Sequence, residues 1–465
     1  MPSPAPSRTD RRMARWLPRA AALLAACHLG FSATPSLAQQ SVPIVRDAEI
    51  EALMRDYAQP ILKAAGLERS GIQIILVNDN SFNAFVAGRR MFFNTGALLT
   101  AETPNEIIGV IAHEAGHLAG GHQERLRQQL DRAQTIAIVG ALLGVGIGVA
   151  GAASGVRGLG SAGAGLAMSA PEVARRGLLS YQRGEEAIAD RSALTYLEAT
   201  GQSPRGMLKT FERLSGSLTL SGIRLDPYQQ SHPTPRERVA NLQAVAQASP
   251  YFERSDPAAL QQRHDMMRAK VAAYTMGQGA VQRMFRDNPG GIGALYGDAI
   301  GTYLYGNPAS ALTKTDALLR QQPSNPYLHE LRGEILMKAN RPADAASAFA
   351  KAIALDPDRT GLLHVLHGQA LLAVGQPDSV RLAVSSLKHG LDRDPEYVTG
   401  YRYLAQAYGM TGDIGLAELA TAEGHFQAGQ YRDAKIFAAR SQQKVRRGSP
   451  PWVRAQDIIN FNPPN

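Results

Sequence analysis

The sequence predicts a mainly α, α+β chain: a first domain of helices around a small β-sheet, then an all-α solenoid. Three observations carry this. Apolar residues recur at helical spacing from residue 47 onward, short β-rich runs fall between 72 and 94, and prolines return at near-constant intervals in the C-terminal half.

At 465 residues the chain exceeds one ordinary hydrophobic core, so two or three domains are expected. Residues 1–38 read as a removed export signal: Arg8, Arg11, Arg12, Arg15 and Arg19 precede an alanine- and leucine-rich run, and Ser36-Leu37-Ala38 offers signal peptidase a small-residue site. Leu24-Ala25-Ala26-Cys27 also has the form of a bacterial lipobox, in which Cys27 would be acylated. Cys27 is the single cysteine, so a cut after Ala38 leaves nothing to oxidise, which permits the periplasm without establishing it. Five arginines and Asp10 give the signal +4 of the chain's +9, and the remaining +5 is diffuse, so no nucleic-acid partner is expected.

The first domain, 39–264, opens with a helix from Asp47 to Ala65 that carries Ile50, Leu53, Met54, Tyr57, Ile61 and Leu62 on one face. Ile72 to Val77 reads as a strand, and Ala84 to Ala87 with Met91 to Asn94 as a hairpin around Gly88-Arg89-Arg90. Such a hairpin either completes a sheet or offers its edge to an extended peptide. A helix then starts near Pro104, with Thr103 as its N-cap, and Gly120-Gly121 loosens its end.

That helix contains His113-Glu114-Ala115-Gly116-His117. The four-residue offset puts both imidazoles on one helix face, where they can grip one divalent metal, and Glu114 beside them can take a proton from a water the metal activates. With eleven histidines in the chain, chance would produce this pattern in roughly one such chain in a hundred. Ile107, Ile108, Val110, Ile111 and Ala112 precede it, so these polar groups enter a buried helix, which is costly without a purpose. His122 follows His117 by five residues, not the six that one class of zinc protease uses for its third ligand, and is expected beside the site or in solvent.

Residues 133–153 carry no charge and would suffice in length to span a bilayer, with Gly140, Gly144 and Gly148 at close-packing spacing. Their glycine content favours a surface-lying segment or a flap over the site, and 155–169 reads as flexible. The third metal ligand is sought in Tyr181–Asp190, a second helical pattern, where Glu186 and Asp190 lie four apart on one face and Glu185 rivals Glu186.

His113-Glu114-x-x-His117, Glu186-x-x-Ala189-Asp190 and Ser231-His232-Pro233, in this order, resemble the zinc metallopeptidases that include the CAAX prenyl proteases and the HtpX membrane proteases, above all their periplasmic members with tetratricopeptide repeats. The resemblance implies one Zn2+ per chain held by His113, His117 and Glu186, with Glu114 as general base and Asp190 orienting a ligand. It also implies His232 as a latch that occupies the open metal position. Arg238, six residues further on, is placed to steady an oxyanion. Implied partners are unfolded or misassembled outer-membrane proteins and the β-barrel assembly machinery, with membrane contact through 133–153. The implied activity is periplasmic hydrolysis of peptide bonds, and the competing reading is a chaperone or assembly adaptor whose solenoid is the working part.

Over 265–465, Asn340, Gly375, Gly412 and Gly429 each stand five residues before a small packing residue: Ala345, Val380, Ala417 and Ala434. Pro323, Pro357 and Pro395 recur at intervals of 34 and 38, the tetratricopeptide period with one four-residue expansion.

Overall fold

The computed structural model describes residues 43–154, 159–220 and 235–463. The export signal, the lipobox at Cys27 and His232 lie outside them.

After β1 (Ile44–Val45), helix α1 (Ala48–Ala64) starts at Asp47, whose carboxylate accepts from the Ile50 amide at 2.9 Å. Strands β2 (Gln73–Val77), β3 (Ala84–Ala87) and β4 (Arg90–Asn94) complete a four-stranded sheet of order β1-β2-β4-β3 among the described residues. β2 pairs with β4 in parallel while the 84–87 and 90–94 hairpin is antiparallel, so β3 forms one edge. Short α2 (Thr95–Thr100) leads to α3 (Pro104–Gly120). Thr103 precedes α3 in extended conformation without a capping side-chain bond, and the Glu106 carboxylate accepts from the Glu102 amide instead.

Gly121, at φ 63°, ends α3 with a sharp left-handed turn rather than a loosened one. From it runs α4 (His122–Ser154), which packs along α5 (Leu159–Ala199) as a long helical hairpin. The expectation of a flexible 155–169 is corrected for 159–169, which is helical: glycine weakens an isolated helix, but a neighbouring helix packed alongside offsets that cost. Among the described residues no helix is long and apolar enough to cross a membrane. Helices α6 (Arg205–Leu220) and α7 (Pro235–Gln247) then pack against one another.

Helix α8 (Ala258–Met276) runs through the expected boundary at 264/265, and the core does the same. One apolar cluster joins Leu53, Met91, Ile111, Met207 and Phe211 to Met267, Tyr296, Leu331 and Ile335. A buried polar joint reinforces it: Lys270 reaches Asp47 at 2.7 Å and Glu49 at 3.2 Å, and the Tyr296 hydroxyl donates to Glu49 at 2.7 Å.

The solenoid follows as expected. Beyond α9 (Gln278–Met284) come the pairs α10 (Ile292–Tyr305) and α11 (Pro308–Gln321), α12 (Pro326–Lys338) and α13 (Pro342–Leu355), α14 (Gly361–Val374) and α15 (Pro377–Arg393), α16 (Val398–Thr411) and α17 (Ile414–Gln427), and finally α18 (Tyr431–Gln442) and α19 (Pro450–Asn460). Asn340, Gly375, Gly412 and Gly429 all have positive φ, the left-handed turn that reverses the chain between helices. Helix α15, with 17 residues against 14 in α13, takes up three of the four added residues.

Candidate metal centre

The apolar stripe of α3 packs into the core and carries His113, Glu114 and His117 with it; their exposures are 1%, 0% and 8%. Gly116 is what lets α5 reach them. A Cβ there would lie 2.8 Å from the Ala189 carbonyl oxygen, so only glycine permits the approach that presents Glu186 and Asp190 to the histidines.

His113 Nε2 and His117 Nε2 stand 3.0 Å apart, and the Glu186 carboxylate lies 3.4 Å from the first and 3.3 Å from the second. Three donors held tetrahedrally at about 2.0–2.1 Å from one ion would lie about 3.3 Å from each other, so two imidazoles and a carboxylate here fit a divalent metal. Among the described residues this is the group of three that meets such spacing.

Each histidine is braced from behind. His113 Nδ1 faces Asp190 Oδ1 at 2.9 Å, which assigns its proton to Nδ1 and leaves Nε2 to bind metal. Arg238 clamps Asp190 with Nε at 2.8 Å and Nη2 at 2.7 Å, brings Nη1 to 3.1 Å from Glu186, and stacks its guanidinium 4.0 Å over Phe211. Arg238, expected to steady an oxyanion, meets the Asp190 and Glu186 carboxylates here, and its Nη2 also lies 3.2 Å and 3.3 Å from the two ring nitrogens of His113. Burial works against the Asp190 charge, yet Arg238 and His113 hold its carboxyl below the usual range. Burial and the Arg238 charge oppose protonation of His113, but its bonds to Asp190 and Glu186 prevail and raise the metal-free imidazole to about 9.

His117 is braced by His122, whose Nδ1 lies 2.9 Å from His117 Nδ1. His122 is buried, with Nε2 at 2.8 Å from Glu185, which in turn accepts from Arg125 at 3.0 Å. Burial holds the His122 imidazole below its ordinary range despite Glu185. The adjacent acids of α5 thus divide the work, Glu186 toward the metal position and Glu185 toward His122. Sequence reasoning missed Phe211, Arg125 and this role of Glu185; the available signal was Gly120-Gly121-His122, a turn that folds His122 back onto α3. A cavity of about 300 Å³ lined by Arg183, Glu186, Asp190, Arg191, Arg238 and Asn241 adjoins the centre.

Fold and centre together define a metallopeptidase with a helical-repeat solenoid. Residues 45–246 match the model of peptidase family M48, and 306–360 match a tetratricopeptide repeat. The chain is 23% identical over 419 residues to the beta-barrel assembly-enhancing protease of Escherichia coli (strain K12), covering 88% of this chain and 82% of that protein. The protein of the same name in Yersinia pestis is 23% identical over 420 residues with the same coverages, 88% and 82%. Metalloprotease LoiP of E. coli K12 is 28% identical over 160 residues, 34% of this chain and 57% of that one.

Proposed function

We propose that this protein is a zinc-dependent endopeptidase of the periplasm that cleaves unfolded or misassembled outer-membrane β-barrel proteins. The observation that carries the reading is the convergence of His113, His117 and Glu186 beside buried Glu114. Two imidazoles and a carboxylate suit Zn2+, and at one ion per chain they leave a coordination position for water or substrate. When bound, the metal supplies Lewis acidity to a water and to the scissile carbonyl. Glu114 takes the proton of the attacking water and delivers it to the leaving amine nitrogen. Asp190 and Arg238 keep His113 and Glu186 oriented, and burial excludes bulk water from the donors.

Edge strand β3 packs against α3, the helix that carries His113 and His117. The substrate class and the link to the β-barrel assembly machinery follow the names of the long-matching relatives. The solenoid suits docking, and a cavity of about 970 Å³ opens where it meets α1 and β2, lined by Arg46, Arg55, Ile74, Asp358, Asp394 and Tyr397. Ile136, Ile138, Val139, Leu142 and Leu143 of α4 are 47–67% exposed, an apolar face suited to lie on a membrane without spanning it. Export through a signal cut near Ala38 agrees with this site of action, with acylation at Cys27 as the alternative anchor.

The test is cleavage of an unfolded outer-membrane β-barrel chain by the zinc-loaded mature protein. Glu114→Gln should retain zinc and lose at least about 100-fold in turnover, His117→Ala should lose both, and His232→Ala should cleave faster than the parent. Failure of every form to cleave, despite bound zinc, would shift the function to a solenoid-based chaperone or adaptor.

A further inference from the structure

We propose that His122 is a positioning residue for the metal ligand His117, fixing through a relay to Glu185 and Arg125 which nitrogen of His117 is free to bind metal. The proposal rests on the reading of His117 Nε2 as a ligand and goes beyond it. The donors and acceptors admit one self-consistent assignment. If His117 Nε2 gives its lone pair to the metal, Nδ1 keeps the proton and donates it across 2.9 Å to His122 Nδ1. His122 is then neutral with its proton on Nε2, an atom 2.8 Å from Glu185 Oε2 that is near in distance without being aligned as a hydrogen bond, so a turn of the ring or carboxylate completes the link. Arg125 Nη2 donates to the same oxygen at 3.0 Å.

The arrangement parallels the brace on the other histidine, where a carboxylate held by arginine meets the imidazole directly. On the His117 side the carboxylate is one residue earlier on α5, and an interposed imidazole spans the gap. The local backbone is shaped for it. Gly121 turns the chain at φ 63°, and a Cβ on Gly120 would stand 2.1 Å from His122 Nε2, so both glycines are needed to lay His122 over α3. His122 is 3% exposed, which excludes water as a replacement acceptor for His117.

Zinc affinity of the full mature chain, measured by competition with a chromogenic chelator, tests the assignment alongside the absorption spectrum of the cobalt(II)-loaded protein. His122→Leu should weaken zinc about 10- to 100-fold and change the cobalt ligand-field bands, while the metal-free protein unfolds in urea within the range of the parent. His122→Asn, whose amide oxygen can accept from His117 Nδ1, should regain most of the affinity. Gly120→Ala should mimic His122→Leu by displacing the ring. Zinc held by His122→Leu within about twofold of the parent, or equal losses in the Leu and Asn variants, would overturn the relay. A parent chain that takes up no zinc would remove the metal centre itself, and the relay with it.

Discussion

His264 is a buried imidazole that the metal centre does not use, and its partners fix its charge. Its Nε2 donates to the Ala101 carbonyl at 2.9 Å, so Nδ1 must accept from the Tyr57 hydroxyl at 3.0 Å, and the neutral ring is fully satisfied. Burial pushes its pKa down to about 4. The unfolded chain binds that proton near pH 6.5, so the unfolded state holds more protons between the two values. Stability from this group is complete above about pH 6.5 and is lost as pH falls through 4, on the order of 3 kcal/mol. His264→Gln, which can donate and accept at the same places without titrating, should flatten that part of the urea-unfolding free energy against pH; parallel curves for parent and variant would refute the assignment. At this scale the sequence was readable where spacing decides, as with His113, Glu114 and His117. It was ambiguous between Glu185 and Glu186, because neighbours on a helix differ by about 100° and only the packed partner tells which one faces the metal.

Among elements, the contact of α3 with α5 decides whether a metal site exists. Helix propensity alone favours replacing glycine with alanine by about 1 kcal/mol. At Gly116 sterics oppose this, since the new Cβ would meet the Ala189 carbonyl oxygen at 2.8 Å and its Cα at 3.0 Å, both backbone atoms that move only if α5 moves. Gly116→Ala should therefore cost about 1–3 kcal/mol and lower zinc affinity by pulling Glu186 from the histidines. At Gly177 of α5 a Cβ would meet nothing within 4 Å, so Gly177→Ala should stabilise by up to about 1 kcal/mol. Urea unfolding with zinc competition separates the two, and a stabilised Gly116→Ala with parental zinc affinity would count against the close-approach argument. The repeats were legible because their signal is local: a left-handed turn, a small residue five later, a proline after the second helix. The hairpin of α4 and α5 was not, because glycine-rich composition reports the weakness of each helix alone and is silent on their mutual packing.

For the whole molecule, the boundary expected at 264/265 follows a change of sequence pattern, whereas the core ignores it. The cluster under the sheet and α3 includes Met266, Met267, Val271, Tyr296, Ile300, Leu328 and Ile335, all beyond the boundary. Ala48 and Ala52, on the other side of α1, pack against Tyr327, Ala352, Leu362 and Leu363. Helix α1 thus lies between the sheet and the solenoid, and its two alanines leave room for the repeats to approach. Periodicity identifies buried faces but not the partner that buries them, so this fusion was invisible in the sequence. A chain of residues 43–264 should consequently expose much of its core and lack a cooperative urea transition. One of residues 43–374 retains both clusters' principal members and should unfold cooperatively and bind zinc through His113, His117 and Glu186. Each fully exposed large side chain costs roughly 1.5–3 kcal/mol, so losing seven exceeds the 5–15 kcal/mol that holds an ordinary domain folded. Cooperative unfolding of the shorter chain with zinc bound would mean that the catalytic half is self-sufficient and that the solenoid is an appended module; its failure beside a folded longer chain would make the first repeats part of the peptidase's own core.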